Sequence, residues 1–349
     1  MLKRRLLPEI RQCALILLGL SFALSFALSS PAISDSTLQR VRERNFLICG
    51  TGQNEVGFAL QTEVGWRGFY VDFCRTVAAA ILQDEKAVRF RPLASASRFE
   101  AIAQNEVDIL ARSTAQSFSS DALAGITFVA PLFYDGVGFL IGKSSQITSA
   151  LELSGAQVCV VSGSLAHISV NRFFQRREMK FVAVSSETWS GVVSQFMAES
   201  CAVMVADVAR LAIQRSQLAR PDRYTLLPEI TSADTFGPIV SNRDWNWFKI
   251  VRWIVHALIR AEELGISKDN VRDITKNGSP AQKDFLKAAA VGAQALNLHP
   301  AWLENMLARV GNYGEIYNRN LGQDSGFNVP RGLNALVRDG GLMLAPAFR

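Results

Sequence analysis

Residues 107–121, VDILARSTAQSFSSD, determine the fold class that we predict for this chain. The apolar run at 107–111 predicts a buried strand, and the Ser, Thr and Gln residues after it predict a polar loop at its carboxyl end. In open α/β sheets, ligands bind where the carboxyl ends of parallel strands and the first turns of helices meet. We therefore predict a ligand-binding edge here. The alternative is an ordinary capped turn, which also favours Ser and Thr.

The amino terminus has the layout of a secretory signal peptide. Four basic residues precede an apolar run at 13–28, and small residues near Ala32 offer a cleavage site. A retained membrane anchor is the alternative, but the apolar run is short for a membrane span. No cysteine follows it where a lipoprotein would need one. We predict a signal peptide at 1-32 and a periplasmic protein.

Length and composition indicate an ordinary globular protein of two lobes. The chain has 349 residues, of which 49% are apolar and 19% are charged. Its formal net charge is +6, and the leader carries about half of that charge through four basic residues and one acid. The mature chain is then only mildly basic, and no Lys/Arg run with interleaved aromatic residues suggests nucleic-acid binding.

The cysteines of the mature chain are even in number, as in an exported protein with disulfides. Three pairings of Cys49, Cys74, Cys159 and Cys201 are possible. We favour Cys49–Cys74 and Cys159–Cys201, because each pair brackets one predicted βα unit within one half of the chain; free buried thiols are the alternative. The three histidines are scattered and no metal-ligand spacing occurs, so we expect neither a metal nor another cofactor.

The order of predicted elements occurs twice. Strands and helices alternate as β-α-β-α-β from residue 46 to residue 111 and again from 156 to 207, which predicts two parallel sheets with right-handed crossovers. Extended runs at 134–143 and 236–242 flank the second copy and predict a two-strand hinge. We therefore expect a discontinuous lobe 1 at 33-140 and 238-349, and a lobe 2 at 141-237.

The rest of the chain, after the second crossing strand, is predicted to be helical. Four aromatic residues near its start have helical spacing, and we interpret them as core that packs against lobe 1. They are Trp245, Trp247, Phe248 and Trp253.

Five stretches resemble the general L-amino-acid-binding periplasmic proteins of polar amino-acid ABC transporters, which are members of solute-binding protein family 3. They are WRGFYVDFCRTVAAAIL, FVAPLFYDGVGFLIGK, VRWIVHALIRAEELGI, GNYGEIYNRNLG and RGLNALVRDGGLMLAP. The resemblance covers essentially the whole mature chain, and its cysteine positions are similar as well. It implies a type II periplasmic binding protein with a helical C-terminal extension. It also implies capture of free amino acids and their delivery to a membrane permease, by a protein that we expect to be monomeric.

The resemblance implies a ligand site in the second lobe. Asp207, at the end of the strand VMVAD, matches the acid that meets the ligand's α-ammonium group. Gly163 and Ser164 match a helix start whose backbone N–H groups meet the α-carboxylate. The next position, where the family has a second hydroxyl, is Leu165.

The first-lobe motif departs from the family pattern, which is approximately R-N-T-T-W-T-L-S-R-D. Ser113 and Thr114 match polar positions, but Ala115 replaces a hydroxyl and Ser120 replaces the arginine that clamps the carboxylate. Loss of such a pair costs about 2–5 kcal/mol of affinity. Either another cation compensates or the ligand is not an ordinary α-amino acid.

Two arginines are candidates for the compensating cation. Arg98 begins the segment SRFEAI, and some glutamate- and aspartate-binding relatives have a ligand-contacting arginine at a similar helix start; Arg112 is the second candidate. The alternative for both is an ion pair at the surface or hinge. Phe58 is a candidate lid over the ligand's aliphatic part, or else a core residue.

Three functions remain after this comparison. The favoured one is a solute-binding protein that closes around a polar amino acid or close analogue and is recognised by a permease. A periplasmic lyase or dehydratase on the same fold would need an acid–base pair, for which Asp207 with Glu55 or Asp72 are the nearest candidates. A diverged sensory or orphan receptor would explain Ala115 and Ser120.

Overall fold

The computed structural model describes residues 36–122 and 125–349. The predicted signal peptide, 1-32, lies outside the described residues. The strands, in chain order, are β1 (Leu47–Thr51), β2 (Leu60–Thr62), β3 (Gly65–Arg67), β4 (Val88–Pro92), β5 (Ile109–Leu110), β6 (Ile126–Phe128), β7 (Phe133–Asp135), β8 (Val137–Gly142), β9 (Gln157–Val161), β10 (Val182–Ser186), β11 (Val203–Asp207), β12 (Tyr224–Leu226), β13 (Asp234–Phe236) and β14 (Ile239–Ser241).

Helices alternate with these strands and then continue beyond them. They are α1 (Thr37–Arg44), α2 (Phe69–Leu82), α3 (Arg98–Ala103), α4 (Phe118–Asp121), α5 (Leu165–Gln175), α6 (Trp189–Met197), α7 (Val208–Gln217), α8 (Trp245–Glu263), α9 (Ile274–Asn277), α10 (Pro280–Ala293), α11 (Trp302–Val310) and α12 (Tyr313–Asn320). Within the described ranges, no helix has both the length and the apolar character needed to cross a bilayer.

Two five-stranded sheets form the two lobes. The first has the order β4-β1-β5-β14-β6, with β4, β1 and β5 parallel and β14 antiparallel to both of its neighbours. The second has the order β10-β9-β11-β8-β12, with β10, β9 and β11 parallel and β8 antiparallel to β11. The predicted β-α-β-α-β order is confirmed in both lobes. The strand predicted at 107–111 is shorter, because only β5 (Ile109–Leu110) is paired as a strand.

A two-stranded antiparallel ladder connects the sheets. Strand β7 pairs with β13, so that Phe133 lies opposite Phe236 and Asp135 lies opposite Asp234. The chain leaves the first lobe through β7 and returns through β13. All of β8 belongs to the second sheet, and the lobe boundary expected between residues 140 and 141 therefore falls inside a strand.

The C-terminal extension holds the first of these connecting strands in place. Asn334 accepts a hydrogen bond from the Tyr134 amide at 2.7 Å and donates one to the Tyr134 carbonyl at 2.7 Å. The buried Tyr313 hydroxyl donates to the carbonyl of Leu132 at 3.0 Å. Because these contacts come from residues far along the chain, the extension fixes the hinge strand to lobe 1.

The aromatic residues at the start of α8 do not all lie in the core. Trp247 is fully buried, and its indole Nε1 donates to the carbonyl of Asp108 at 2.8 Å, while Phe248 is also buried. Trp253 is half-buried, and Trp245 is 64% exposed. Residues two apart in a helix point to nearly opposite faces. The core interpretation of Trp245 was therefore wrong.

Both predicted disulfides form. Cys49 of β1 is bonded to Cys74 of α2, and Cys159 of β9 is bonded to Cys201, just before β11. Closing loops of 25 and 42 residues restricts the unfolded chain and stabilises each lobe by about 3–4 kcal/mol on the loop-closure estimate. Each bond lies within one lobe, so the connecting strands between the lobes carry no covalent cross-link.

Candidate functional site

The segments that follow β4 and β5 bring two arginines together in the first lobe. Arg112 is buried, and its guanidinium donates to the Leu93 carbonyl at 2.6 Å and to the Ser95 hydroxyl at 3.2 Å. Arg98, at the start of α3, donates to the Ser95 carbonyl and lies over the Phe99 ring, 4.3 Å from its centroid. Burial and the neighbouring Arg112 charge lower the pKa of the Arg98 guanidinium. Both guanidinium groups thus donate to Ser95, which places two positive charges next to each other.

These two cations are poorly compensated. The closest acid to Arg112 is Glu55, whose carboxylate oxygen lies 3.9 Å from Nη2 of Arg112, and Arg98 makes no ion pair with any residue that the structure describes. The Nε atoms of both arginines are buried without a hydrogen-bond partner in the described part of the chain. Surface ion pairing, the alternative role for the two arginines, therefore accounts for neither of these unpaired atoms.

Polar groups that the sequence did not single out as ligand contacts lie beside Arg112. Glu55 accepts a hydrogen bond from the Ser113 hydroxyl at 3.2 Å. The hydroxyl of Thr51, at the end of β1, is buried without a partner among the described residues, and the buried hydroxyl of Tyr70, in α2, lies beside Ser113. Burial, reinforced by the Glu55 carboxylate, raises the pKa of Tyr70. Thr114 is also buried in this loop.

Ser120 and Ala115, the positions that depart from the family motif, have structural roles. Ser120 accepts a hydrogen bond from the Ser117 amide at 3.1 Å and forms a capping box with Ser117 at the start of α4. Ala115 forms a β-bridge with Phe236 of the hinge strand β13. Phe58 is only 9% exposed, and its ring packs against Tyr70 and Phe133 in the aromatic core of lobe 1; a lid role stays a prediction.

The second-lobe candidates lie at the carboxyl ends of the neighbouring strands β9 and β11. Gly163 has φ +63°, a left-handed conformation that favours glycine. The turn leads into α5, where the Ser164 hydroxyl accepts a hydrogen bond from the His167 amide at 3.1 Å and donates to the Val161 carbonyl at 2.7 Å. Because that hydroxyl is already used, the backbone N–H groups of the first turn are what this helix offers to an anion.

Asp207 is a carboxylate that lacks an ion-pair partner among the described residues. It precedes α7 without capping that helix, and no ion pair joins it to any residue of the described ranges. Burial raises the pKa of Asp207; Arg210 opposes this shift, and Asp234 adds to it. Asp234 lies in the hinge strand β13. Asp207 therefore lies within electrostatic reach of one cation, Arg210, and of a second acid, Asp234.

Asp135 completes this group of acids and connects the two lobes. Its carboxylate accepts hydrogen bonds from the amides of Gly136 at 2.8 Å and Ala209 at 3.4 Å. Burial and then the Asp207 charge raise the pKa of Asp135 to about 7. Asp135 also raises the pKa of Tyr70 in the first lobe, so it lies within electrostatic reach of both halves of the site.

The sequence predictions did not include Asp135 or Asp234. Their only local signal was that both acids lie next to glycine-containing segments at the crossing strands, DG and DTFG. Within residues 36–122 and 125–349, no group of three or more His, Cys, Asp or Glu side chains has the geometry to hold a metal ion. Carboxylates are suited to an organic cation such as an ammonium group, which needs hydrogen-bond acceptors and no fixed coordination number.

Two α/β lobes with a shared hinge and polar groups at facing strand ends define a solute-binding protein of the type II fold.

No model of a known protein family matches the chain. It is 38% identical over 327 residues to the general L-amino acid-binding periplasmic protein of Rhizobium johnstonii, a match that covers 93% of this chain and 96% of the relative. It is 37% identical over 325 residues to the glutamate/glutamine/aspartate/asparagine-binding protein of Rhodobacter capsulatus, covering 93% and 96%.

A solved structure agrees with these relatives. An ABC transporter periplasmic binding protein from Brucella ovis, with glutathione bound, has a TM-score of 0.78 and 38% identity, and the match covers 90% of this chain and 99% of that one. The chain belongs to the family of periplasmic amino-acid-binding proteins of ABC transporters. The predicted fold class and the resemblance are both confirmed.

We expect Asp135→Asn to flatten the pH dependence of stability. The pKa of Asp135 is about 7 in the folded protein and about 3.9 in an unfolded chain. Between these values the folded state binds more protons, so its free energy of unfolding falls as the pH rises, by up to about 1.4 kcal/mol per pH unit. Asparagine keeps the acceptor oxygen for Gly136 and Ala209 and removes the titration. Urea unfolding of the ligand-free protein between pH 4.5 and 7.5 measures the difference.

The exposed Asp222, which pairs with Arg220 at the surface of the second lobe, provides the control. Asp222→Asn should follow the wild-type pH profile. An Asp135→Asn profile that declines as steeply as the wild-type one would show that Asp135 is not protonated in this pH range.

Proposed function

We propose that the protein captures a polar amino acid or close analogue between its lobes and delivers it to the permease of an ABC transporter. The observation that carries this proposal is the unpaired carboxylate of Asp207 beside Asp135 and Asp234. A ligand ammonium group placed there reduces like-charge repulsion within a partly buried group of acids, which the charge of Arg210 offsets only in part.

The anionic end of the ligand has two candidate sets of partners. The backbone N–H groups that follow Gly163 and Ser164 are suited to the α-carboxylate. The guanidinium groups of Arg98 and Arg112, which have unused donors at Nε, supply the positive charge that Ser120 lacks. Ser113 and Thr114 line the same loop. The first lobe therefore offers positive charge and the second lobe offers negative charge. Lobe closure adjusts the distance between them, as binding of a zwitterion requires.

Lobe closure is the physical basis of delivery. A ligand that contacts both lobes binds the closed state more tightly than the open one and shifts the population toward it. We place the lobe boundaries near those expected from sequence, 33-140 and 238-349 for lobe 1 and 141-237 for lobe 2. Sheet membership favours moving the first boundary to residue 136, so that β8 stays whole. A cleaved signal peptide, periplasmic residence and a monomeric state complete the proposal.

We further propose that the protein binds its ligand without converting it. Of the acids considered for an enzyme, Asp72 is engaged by Arg75 at 2.9 Å, by Arg319 at 2.8 Å and by Asn320 at 2.8 Å. Glu55 is held by Ser113 and lies near Arg112. Neither acid is left free to transfer a proton to a ligand at Asp207. The named relatives are binding proteins, which supports the same conclusion.

Asp207→Ala should abolish ligand binding while the protein stays folded. A thermal-shift and calorimetric screen of the mature protein with the twenty amino acids, small carboxylates and glutathione identifies the ligand; glutathione is included because the Brucella ovis protein carries it. Loss of a buried charge partner costs about 2–5 kcal/mol, or roughly 30- to 4,000-fold in affinity. Asp222→Ala on the same lobe is the control.

Each result of this screen has a distinct meaning. Stabilisation of the wild type without turnover supports the proposed function, and turnover of any compound refutes it in favour of an enzyme. An empty panel favours a diverged receptor. An Asp207→Ala variant that binds as the wild type does would refute the ammonium site.

Ser120→Arg should tighten the binding of an ordinary amino acid by about tenfold or more, because a guanidinium forms charge-assisted bonds to the ligand carboxylate that a hydroxyl does not. The substitution also removes the hydroxyl from the α4 capping box, so Ser120→Ala is the matched control for that loss. Isothermal calorimetry on both variants measures the effect. Equal affinities for Arg and Ala at this position would refute the alignment of Ser120 with the family's carboxylate clamp.

A further inference from the structure

A groove of about 320 Å³ runs along one face of α5 in the second lobe. Leu165, Ile168, Arg172 and Arg176 form its helical wall, since residues three and four apart share one face of a helix. The opposite wall is the segment 230–232, which leads into the hinge strand at Asp234. A volume of this size is within the range of small-molecule sites.

The groove begins at the proposed ligand site. Leu165 directly follows Ser164, the first-turn residue assigned to the ligand carboxylate. Asp234, which also lines the groove, raises the pKa of Asp207 and so lies within its electrostatic reach. A ligand held at Asp207 and at the start of α5 therefore has the groove open to it on the side away from both contacts.

The charge of the groove is positive and mostly unpaired. Arg172 and Arg176 form no hydrogen bond or ion pair with side chains in the described ranges, whereas Arg177 lies 4.0 Å from the Phe173 ring centroid and donates to the Phe173 carbonyl. Leu165 is 72% exposed and Ile168 is 43% exposed. Along the helix, the apolar Leu165 and Ile168 come before Arg172. A ligand tail with an apolar stretch followed by an anionic group matches this order.

The dimensions set the length of that tail. With a rise of about 1.5 Å per residue, Cα of Arg172 lies about 12 Å along the helix from Ser164. Long side chains on a helix lean toward its amino terminus, which brings the guanidinium closer to the head of the ligand. An extended chain spans about 3.5 Å per residue. Two to three residue lengths therefore reach Arg172, and a single amino acid does not.

We propose that this groove binds the anionic tail of a ligand whose zwitterionic head occupies the inter-lobe site, with the tail carboxylate at Arg172. The inference rests on the proposed function and narrows its substrate class. The head must keep both its α-ammonium and its α-carboxylate group, so the extension leaves through the side chain. The ligand is thus an amino acid, such as glutamate, with one or two peptide units linked to its side chain and a free carboxylate at the end.

Three probes test this inference on the full mature protein by calorimetry: L-glutamate, γ-glutamyl-alanyl-glycine, and the C-terminal amide of that tripeptide. The tripeptide acid should bind the wild type about tenfold or more tightly than its amide, because only the acid pairs with the guanidinium. Arg172→Gln should remove that preference and leave the affinity for glutamate within about twofold. Arg223→Gln, on an exposed turn of the same lobe outside the groove, should preserve the preference.

The outcomes separate the two levels of the proposal. A wild type that binds glutamate but binds acid and amide equally would overturn the tail site and leave the proposed function standing. An Arg172→Gln variant that keeps the preference would also overturn the tail site. A wild type that binds no probe or amino acid would overturn both.

Discussion

The antiparallel pairing of Phe133–Asp135 with Asp234–Phe236 determines where the candidate ligand contacts lie. It connects the two sheets and places Asp135 and Asp234 opposite each other, within reach of Asp207 at the end of β11. Asn334 and Tyr313 of the C-terminal extension hold the first of these strands to lobe 1 through its backbone. The position of the acids is therefore set by hydrogen-bonded backbone and not by flexible side chains.

The unbound site retains electrostatic energy that a ligand relieves. Burying like charges is unfavourable unless a counter-charge or a proton neutralises them, and the pKa of Asp135, raised to about 7, favours the protonated carboxyl below that pH. Arg98 and Arg112 present the opposite situation in the first lobe, where two cations share Ser95. In the proposed function, a zwitterion that spans the lobes brings an ammonium group to the acids and a carboxylate to the arginines. Each disulfide lies within one lobe, so neither bond restrains the proposed closure of one lobe on the other.

Local patterns in the sequence predicted much of this structure. Alternating strands and helices, the pairing of the four cysteines, and the places of Asp207 and Ser164 at strand ends all depend on residues close in sequence or on the resemblance. Asp135 and Asp234 are different, because the register of two distant segments brings them together. The exposure of Trp245 follows from its helical phase relative to Trp247, which spacing alone did not resolve.

Proton release on ligand binding tests the central claim most directly. A ligand ammonium group at the acids lowers the pKa of Asp135, so binding near pH 6.5 should release a proton that the free protein holds. Titration of a neutral amino acid in phosphate and in imidazole buffer reveals this as a difference in apparent enthalpy. The account predicts release of up to about three-quarters of a proton per ligand at this pH, since the pKa of Asp135 is about 7 in the free protein, and its loss in Asp135→Asn. Binding with no proton release in the wild type would contradict it.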